Sequence, residues 1–273
     1  MGDASQEAAE AGDALVVIGI GASAGGLEAI FELLDAIPAE PGFAVVIVTH
    51  QLAGRASLLP ELLRHHTGMG VVLVSERITM RPNHVYLPPP GSTFAVDSDA
   101  LEPRAPPLEG PRFPIDAFFR SLADAKGHLA VGVVLSGTGT DGTLGLTAIK
   151  AAGGLTLAQS VDSASHSGMP TSARLAGAVD ESATPARIAP RLVEHAQRWS
   201  SAVESDEALG PTLDQVISLI RDRRGKDFSN YKPSTLRRRI LRRFAIHGVA
   251  SPPSTSASSR PIQTSWTSWS RSS

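Results

Sequence analysis

The sequence predicts an α/β fold: a doubly wound, mostly parallel sheet with helices on both faces, followed by a small helical segment. Three observations carry this. Continuous β-branched runs at 15–20, 43–49 and 130–135 read as strands buried on both faces. Stretches of helical period separate them, and strands that alternate with helices make parallel sheets. Glycine-rich turns follow the first and last of these runs, at 19–26 and 137–142. In open parallel sheets such turns stand at the carboxyl edge, where sites form.

Residues 1–13 are acidic and small and read as a disordered leader. After the strand at 15–20, Leu27, Ile30, Phe31, Leu33 and Leu34 give a helix one apolar face. Pro38 and Pro41 end it. The second strand, 43–49, runs into His50. Ser57 can cap a helix that reaches residue 64 and carries Leu58, Leu59, Leu62 and Leu63. Residues 71–74 and 85–87 read as short strands, the second closed by Pro88-Pro89-Pro90-Gly91. The Pro-rich, polar stretch 97–114 reads as a loop. Ile115, Phe118, Phe119 and Leu122 mark a helix over 115–125. The strand at 130–135 leads into Ser136-Gly137-Thr138-Gly139-Thr140-Asp141-Gly142. A helix over 144–152 stops at Gly153-Gly154, and a further strand covers 155–158.

Composition bounds the chemistry. The 273 residues are 42% hydrophobic and 19% charged, ordinary for a globular chain. There is no cysteine, which excludes disulfides, thiolate metal sites and a cysteine nucleophile. No apolar run approaches the roughly 20 residues that span a bilayer, and the start lacks a signal-peptide pattern. Membrane insertion is not expected, and a cytoplasmic location is. Net charge is −2, but residues 221–243 hold ten Lys/Arg against two Asp/Glu. Before them stand 13 basic and 25 acidic residues. Such asymmetry suggests two functional units. The expected boundaries are 14–198 for the α/β domain, 199–210 for a linker, 211–249 for the helical segment and 250–273 for a disordered low-complexity tail.

Ser23 lies between Gly21 and Gly25 where the first strand turns into a helix. This G-x-S-x-G arrangement is the context of a nucleophile elbow. Two other readings stay open for the turn: a plain tight connection, or a phosphate cradle, because Gly19, Gly21 and Ala24 satisfy a loose G-x-G-x-x-A fingerprint. The cradle expects a carboxylate at the end of the second strand, where this chain has His50. His50 leaves one strand end, and Asp141 follows another. A serine, an imidazole and a carboxylate are the parts of Ser-His-Asp hydrolysis. Taken singly, His50 is a strand-end histidine and Asp141 a turn residue or helix cap; the conjunction of all three favours chemistry. Their chain order differs from that of α/β-hydrolases. His166, before Gly168-Met169-Pro170, borders the expected site. No residue pattern marks a metal or cofactor site, and none is expected.

Gly21-Ala22-Ser23-Ala24-Gly25-Gly26, His50 and Gly137-Thr138-Gly139-Thr140-Asp141-Gly142 together resemble the catalytic domain of the chemotaxis protein-glutamate methylesterases (CheB). The stretches 82–91, 115–119, 152–154 and 168–170 support the likeness, which spans about 14–198. The resemblance implies Ser23 as nucleophile, His50 as base and Asp141 as orienting acid. It implies Ala24, Gly25, Thr138 and Gly139 as oxyanion or site-lining positions. Two positions depart from the family pattern: Ala24 stands where Thr is usual, and Thr138 where Met is usual. Residues 227–243 resemble the start of the chemotaxis receptor methyltransferases (CheR), whose basic helix engages acidic receptor helices. That implies Arg237, Arg238 and Arg242 as receptor-docking residues and a methylated chemoreceptor or related sensory protein as partner. The likeness stops near Val249, so methyl transfer is not expected, and neither is the family's N-terminal receiver domain. Glutamine deamidation is implied as a side activity. The competing functions are a catalytically weak or inactive receptor-docking module and, for 221–243, nucleic-acid binding; the second is not expected.

Overall fold

The computed structural model describes residues 15–49, 58–105 and 113–203. Strands β1 (Val17–Ala22), β2 (Ala44–Thr49), β3 (Gly70–Leu73), β5 (His84–Leu87), β8 (Ala130–Val134), β9 (Leu155–Gln159) and β10 (Glu181–Ala183) form one sheet. Its order is β10-β9-β8-β1-β2-β5-β3, and every neighbouring pair is parallel. The chain winds one way from β1 through β2 and the other way from β8 through β10. The reversal lies between β1 and β8, and a ligand crevice in such a sheet opens outside the strand ends at that place.

Two cores cover the two faces. Val16, Ile18, Ile20 and Ala22 face α1 (Gly26–Asp35), α2 (Leu59–Arg64) and α6 (Pro185–Val203) through Ile30, Leu33, Leu63, Leu192 and Trp199. Val17, Val46 and Val48 face α3 (Pro114–Lys126), α4 (Thr143–Ala151) and α5 (Gly168–Leu175) through Ile115, Phe118, Phe119, Leu146 and Met169. Gly19 and Gly21 share the second face of β1. A Cβ at Gly19 would lie 2.8 Å from Phe118, and one at Gly21 would lie 2.4 Å from Ile115. These glycines let α3 lie close on the sheet, which accounts for the loose dinucleotide fingerprint without a ligand.

The long loop expected over 97–114 is corrected. Strands β4 (Ile78–Thr79), β6 (Thr93–Asp97) and β7 (Ala100–Arg104) form a small antiparallel sheet, with β6 and β7 joined at Ser98 and Asp99. Ser98 takes a left-handed φ of 54° in that turn. Phe94, Val96 and Leu101 bury against the α3 face. The strand expected over 71–74 sits at Gly70–Leu73, and α5, α6 and β10 add elements beyond those read from the sequence. Helix α6 reaches Val203, into the stretch read as a linker; the rest of that stretch, Ser57 and residues 204–273 lie outside the described residues.

Candidate active site

The chain leaves β1 at Ala22, and Ser23 follows half-buried. Gly25, the cap of α1, has φ 66° and ψ 14°. A left-handed residue folds the strand sharply into the helix, and glycine takes that shape without a Cβ penalty. The nucleophile-elbow reading of Ser23 therefore meets a sharp strand-to-helix turn. Ser23 N–H donates to Ser136 C=O at 3.0 Å, and Gly26 N–H donates to Ser23 C=O at 2.9 Å. Leu135 N–H donates to Gly21 C=O at 2.9 Å. The turn after β1 is thus laced to the turn after β8.

Asp141 stands in that second turn and is 3% exposed. Its Oδ1 accepts N–H bonds from Asp116 and Gly142, both at 2.9 Å, and its Oδ2 accepts from Ile115 at 3.1 Å. Ile115 and Asp116 open α3, so the carboxylate closes the first turn of a helix 25 residues away in sequence. Asp141 thus closes the start of α3 rather than of the adjoining α4, whose cap residue Gly142 makes no side-chain cap bond. A carboxylate offers about four acceptor positions, so an imidazole N–H fits beside these three backbone donors.

Asp116 returns the arrangement. Its Oδ1 accepts the N–H of Gly145 in the first turn of α4 at 2.7 Å. Each helix start is closed by a carboxylate from the other. Burial pushes the Asp116 carboxyl above its usual range; the Gly145 N–H opposes this, and the nearby Asp141 charge adds to it.

Thr138 and Gly139 are exposed in the same loop, and Ala24 is exposed beside Ser23. Gly137 C=O accepts Met169 N–H at 2.9 Å. His166 lies where a Cβ on Gly25 would meet its Nδ1 at 2.9 Å. The structure thus gathers Ala24, Gly25, Thr138, Gly139, Ser23 and Asp141 into turns at the ends of two neighbouring strands. Thr49, which precedes His50, is in register with Ala22, which precedes Ser23. His50, Arg237, Arg238 and Arg242 lie outside the described residues. Among the described residues no group of three His, Cys, Asp or Glu is placed to hold a metal ion.

Three further residues of the site went unread in the sequence: Asp116, the side chain of Ser136 and Gln159. Asp116 and Ser136 meet partners tens of residues away, and Gln159 links Ser136 to Ser163, so no single segment signals these contacts.

A family model described as CheB methylesterase matches residues 18–192. The chain belongs to the CheB methylesterase family. A second model, the all-alpha domain of CheR methyltransferase, matches residues 211–254. The solved catalytic domain of CheB methylesterase from Thermotoga maritima shares the fold, with a TM-score of 0.62 and 22% identity. That match covers 66% of this chain and 98% of the other. A protein-glutamate methylesterase/protein-glutamine glutaminase from Xanthomonas campestris is 37% identical over 182 residues, 65% of this chain and 51% of that protein. One from Bordetella pertussis is 37% identical over 184 residues, 64% of this chain and 51% of that protein. An uncharacterized 104.1 kDa protein of Rhodobacter capsulatus is 32% identical over 216 residues, 70% of this chain and 23% of that protein. The chain matches about half the length of the CheB-type relatives. Among the described residues, no helix is long and apolar enough to cross a membrane.

Proposed function

We propose that this chain is a serine-type carboxylic ester hydrolase that cleaves glutamate methyl esters on a chemoreceptor, with glutamine deamidation as the side reaction. One observation carries the reading. Ser23 sits on a left-handed elbow at the end of β1, and the buried Asp141 carboxylate is held by three backbone N–H groups after the adjoining β8. The names borne by the relatives agree with it.

In this mechanism His50 takes the Ser23 hydroxyl proton while Oγ attacks the ester carbonyl carbon. Asp141 fixes the imidazole tautomer and stabilises the imidazolium. Backbone N–H groups among Ala24, Gly25, Thr138 and Gly139 hold the oxyanion. The C–OCH3 bond breaks, His50 returns the proton, and methanol leaves. Water, deprotonated by His50, then attacks the acyl-serine; the glutamate carboxylate and the free Ser23 hydroxyl result. Ammonia replaces methanol as leaving group when the substrate is glutamine.

The domain reading assigns 14–198 to catalysis and 211–249 to receptor docking. Arg237, Arg238 and Arg242 supply positive charge for an acidic receptor helix, in agreement with the all-alpha match over 211–254. The test is Ser23→Ala in the full chain, with methanol release measured from a peptide carrying a glutamate γ-methyl ester. A loss of around 10⁶-fold is expected for removal of a serine nucleophile. Retention of a tenth of the wild-type rate refutes the mechanism.

A further inference from the structure

Ser136 is fully buried at the end of β8, and each of its polar atoms is engaged. Its N–H donates to Gln159 Oε1 at 2.8 Å, and the Gln159 amide donates on to Ser163 C=O at 3.0 Å. Its carbonyl accepts the Ser23 N–H at 3.0 Å. Its hydroxyl accepts the His166 N–H at 2.9 Å and lies 3.0 Å from Ala24 C=O and 3.3 Å from His166 C=O. A hydroxyl has one hydrogen to give, and the shorter contact is to Ala24. One side chain therefore joins the turns that follow β1, β8 and β9.

The bond to Ala24 has a consequence for the proposed chemistry. A peptide unit is planar and trans, so its C=O and N–H point in opposite directions. Holding Ala24 C=O toward Ser136 turns the Gly25 N–H away from Ser136. Gly137 C=O is held in the same manner by Met169 N–H, which turns the Thr138 N–H away from α5. Gly25 needs its left-handed φ to make the elbow, but glycine leaves the preceding peptide free to swing. The Ser136 hydroxyl removes that freedom.

We propose that Ser136 is a positioning residue, whose hydroxyl locks the Ala24–Gly25 peptide so that the Gly25 N–H is preset to receive the oxyanion. This rests on the hydrolase reading above. Preset donors matter because a misplacement of about 1 Å can cost 10²-fold in rate.

The experiment compares full-length wild type, Ser136→Ala, Ser136→Thr and Ser136→Cys in hydrolysis of 4-nitrophenyl acetate. Thermal melting by circular dichroism reports folding. The lock predicts a kcat loss of about 10- to 100-fold for Ser136→Ala with KM within about twofold. It predicts that Ser136→Thr, which keeps the hydroxyl, recovers at least a third of the wild-type kcat. If Ser136→Ala fails to melt cooperatively, Ser136→Cys keeps the volume with a weaker donor and must show a reduced kcat. A kcat within twofold of wild type for the folded Ala variant, or for Cys, overturns the proposal. So does equal loss in the Ala and Thr variants, which marks packing rather than the hydroxyl. Ser23→Ala is run alongside. Wild-type turnover that does not depend on Ser23 sinks the hydrolase reading and this inference with it; Ser23-dependent turnover indifferent to Ser136 sinks this inference alone.

Discussion

Replacing Asp141 tests stability and chemistry through one carboxylate. Its two oxygens accept from Ile115, Asp116 and Gly142 N–H. Asp141→Ala leaves these three N–H donors without their acceptor at a site 3% exposed, where water enters poorly. A buried donor left without a partner costs about 1–3 kcal/mol. Relief of the Asp116–Asp141 repulsion returns part of that, so a net loss of about 3–5 kcal/mol is expected. Asp141→Asn is milder and directional. Its remaining oxygen can keep the Asp116 and Gly142 bonds, but its NH2 then faces the Ile115 N–H, donor against donor. That variant should lose about 1–3 kcal/mol. Urea unfolding at pH 7 measures both through the shift in midpoint at constant slope. Ester hydrolysis should fall about 10⁴-fold in Asn, because the wrong imidazole tautomer is then favoured. A loss below about 1 kcal/mol in Asp141→Ala would falsify the capping assignment, whatever happened to activity.

Further outcomes follow from the same geometry. Asp116→Ala removes the acceptor at the start of α4 and should cost about 1–2 kcal/mol, whereas Asp116→Asn keeps an acceptor for Gly145 N–H. Because the Asp116 pKa is raised, ionising it costs the folded state stability as pH rises through that pKa; Asp116→Asn removes the cost and should be at least as stable as wild type at pH 7. The reverse ranking of the two variants in urea unfolding would defeat this. His195 is buried, accepts the Trp199 indole N–H at 3.2 Å, and has its pKa lowered to about 4 by burial. Arg191, Arg198 and His128 add to that depression and Asp180 opposes it. The unfolded chain takes up this proton near pH 6.5 and the folded chain only near 4, so stability should fall by about 3 kcal/mol across that window and level below it. Urea midpoints at pH 7 and 4.5 check it, and His195→Gln with an unchanged slope would argue against the assignment. A Cβ at Gly137 would lie 2.1 Å from Met169 Sδ and 3.0 Å from Ser23 Cβ. Gly137→Ala should therefore lose about 1–3 kcal/mol and lower hydrolysis; a variant matching wild type in both would refute tight packing of this turn against Met169 and Ser23.

The parts legible in the sequence were those whose cause is local. The runs of β1, β2 and β8 declared themselves because both faces of a central parallel strand are apolar. The elbow at Ser23 was readable because its glycines stand within two residues of it. What Gly19 and Gly21 accommodate was not readable, since Phe118 and Ile115 come a hundred positions later. The hairpin of β6 and β7 was missed because Pro103 demotes a run to loop. Here β4 pairs only with Ala100 and Leu101, so Pro103 stands past its reach and breaks no bond to it. Helix α6 carries Pro190, which also weighs against a helix, yet Ile188, Leu192, Ala196 and Trp199 recur at helical spacing and bury in the core that α6 shares with α1, β9 and β10. The exchange of carboxylates between α3 and α4 had no signal in either segment alone. A cap is legible in a sequence only beside its own helix, and Asp141 and Asp116 each close a helix start far along the chain.

The crossed caps of α3 and α4 also govern where this chain tolerates a change of length. Asp141 reaches Ile115 and Asp116, and Asp116 reaches Gly145, over spans of 25 to 29 residues. An extra residue anywhere near either end would pull both carboxylates out of reach together. The turn at Ser98 and Asp99 caps neither helix and meets α3 at its far end, where Asp99 pairs with Lys126, so a graft or reporter inserted there puts that ion pair at risk and leaves the crossed caps in place.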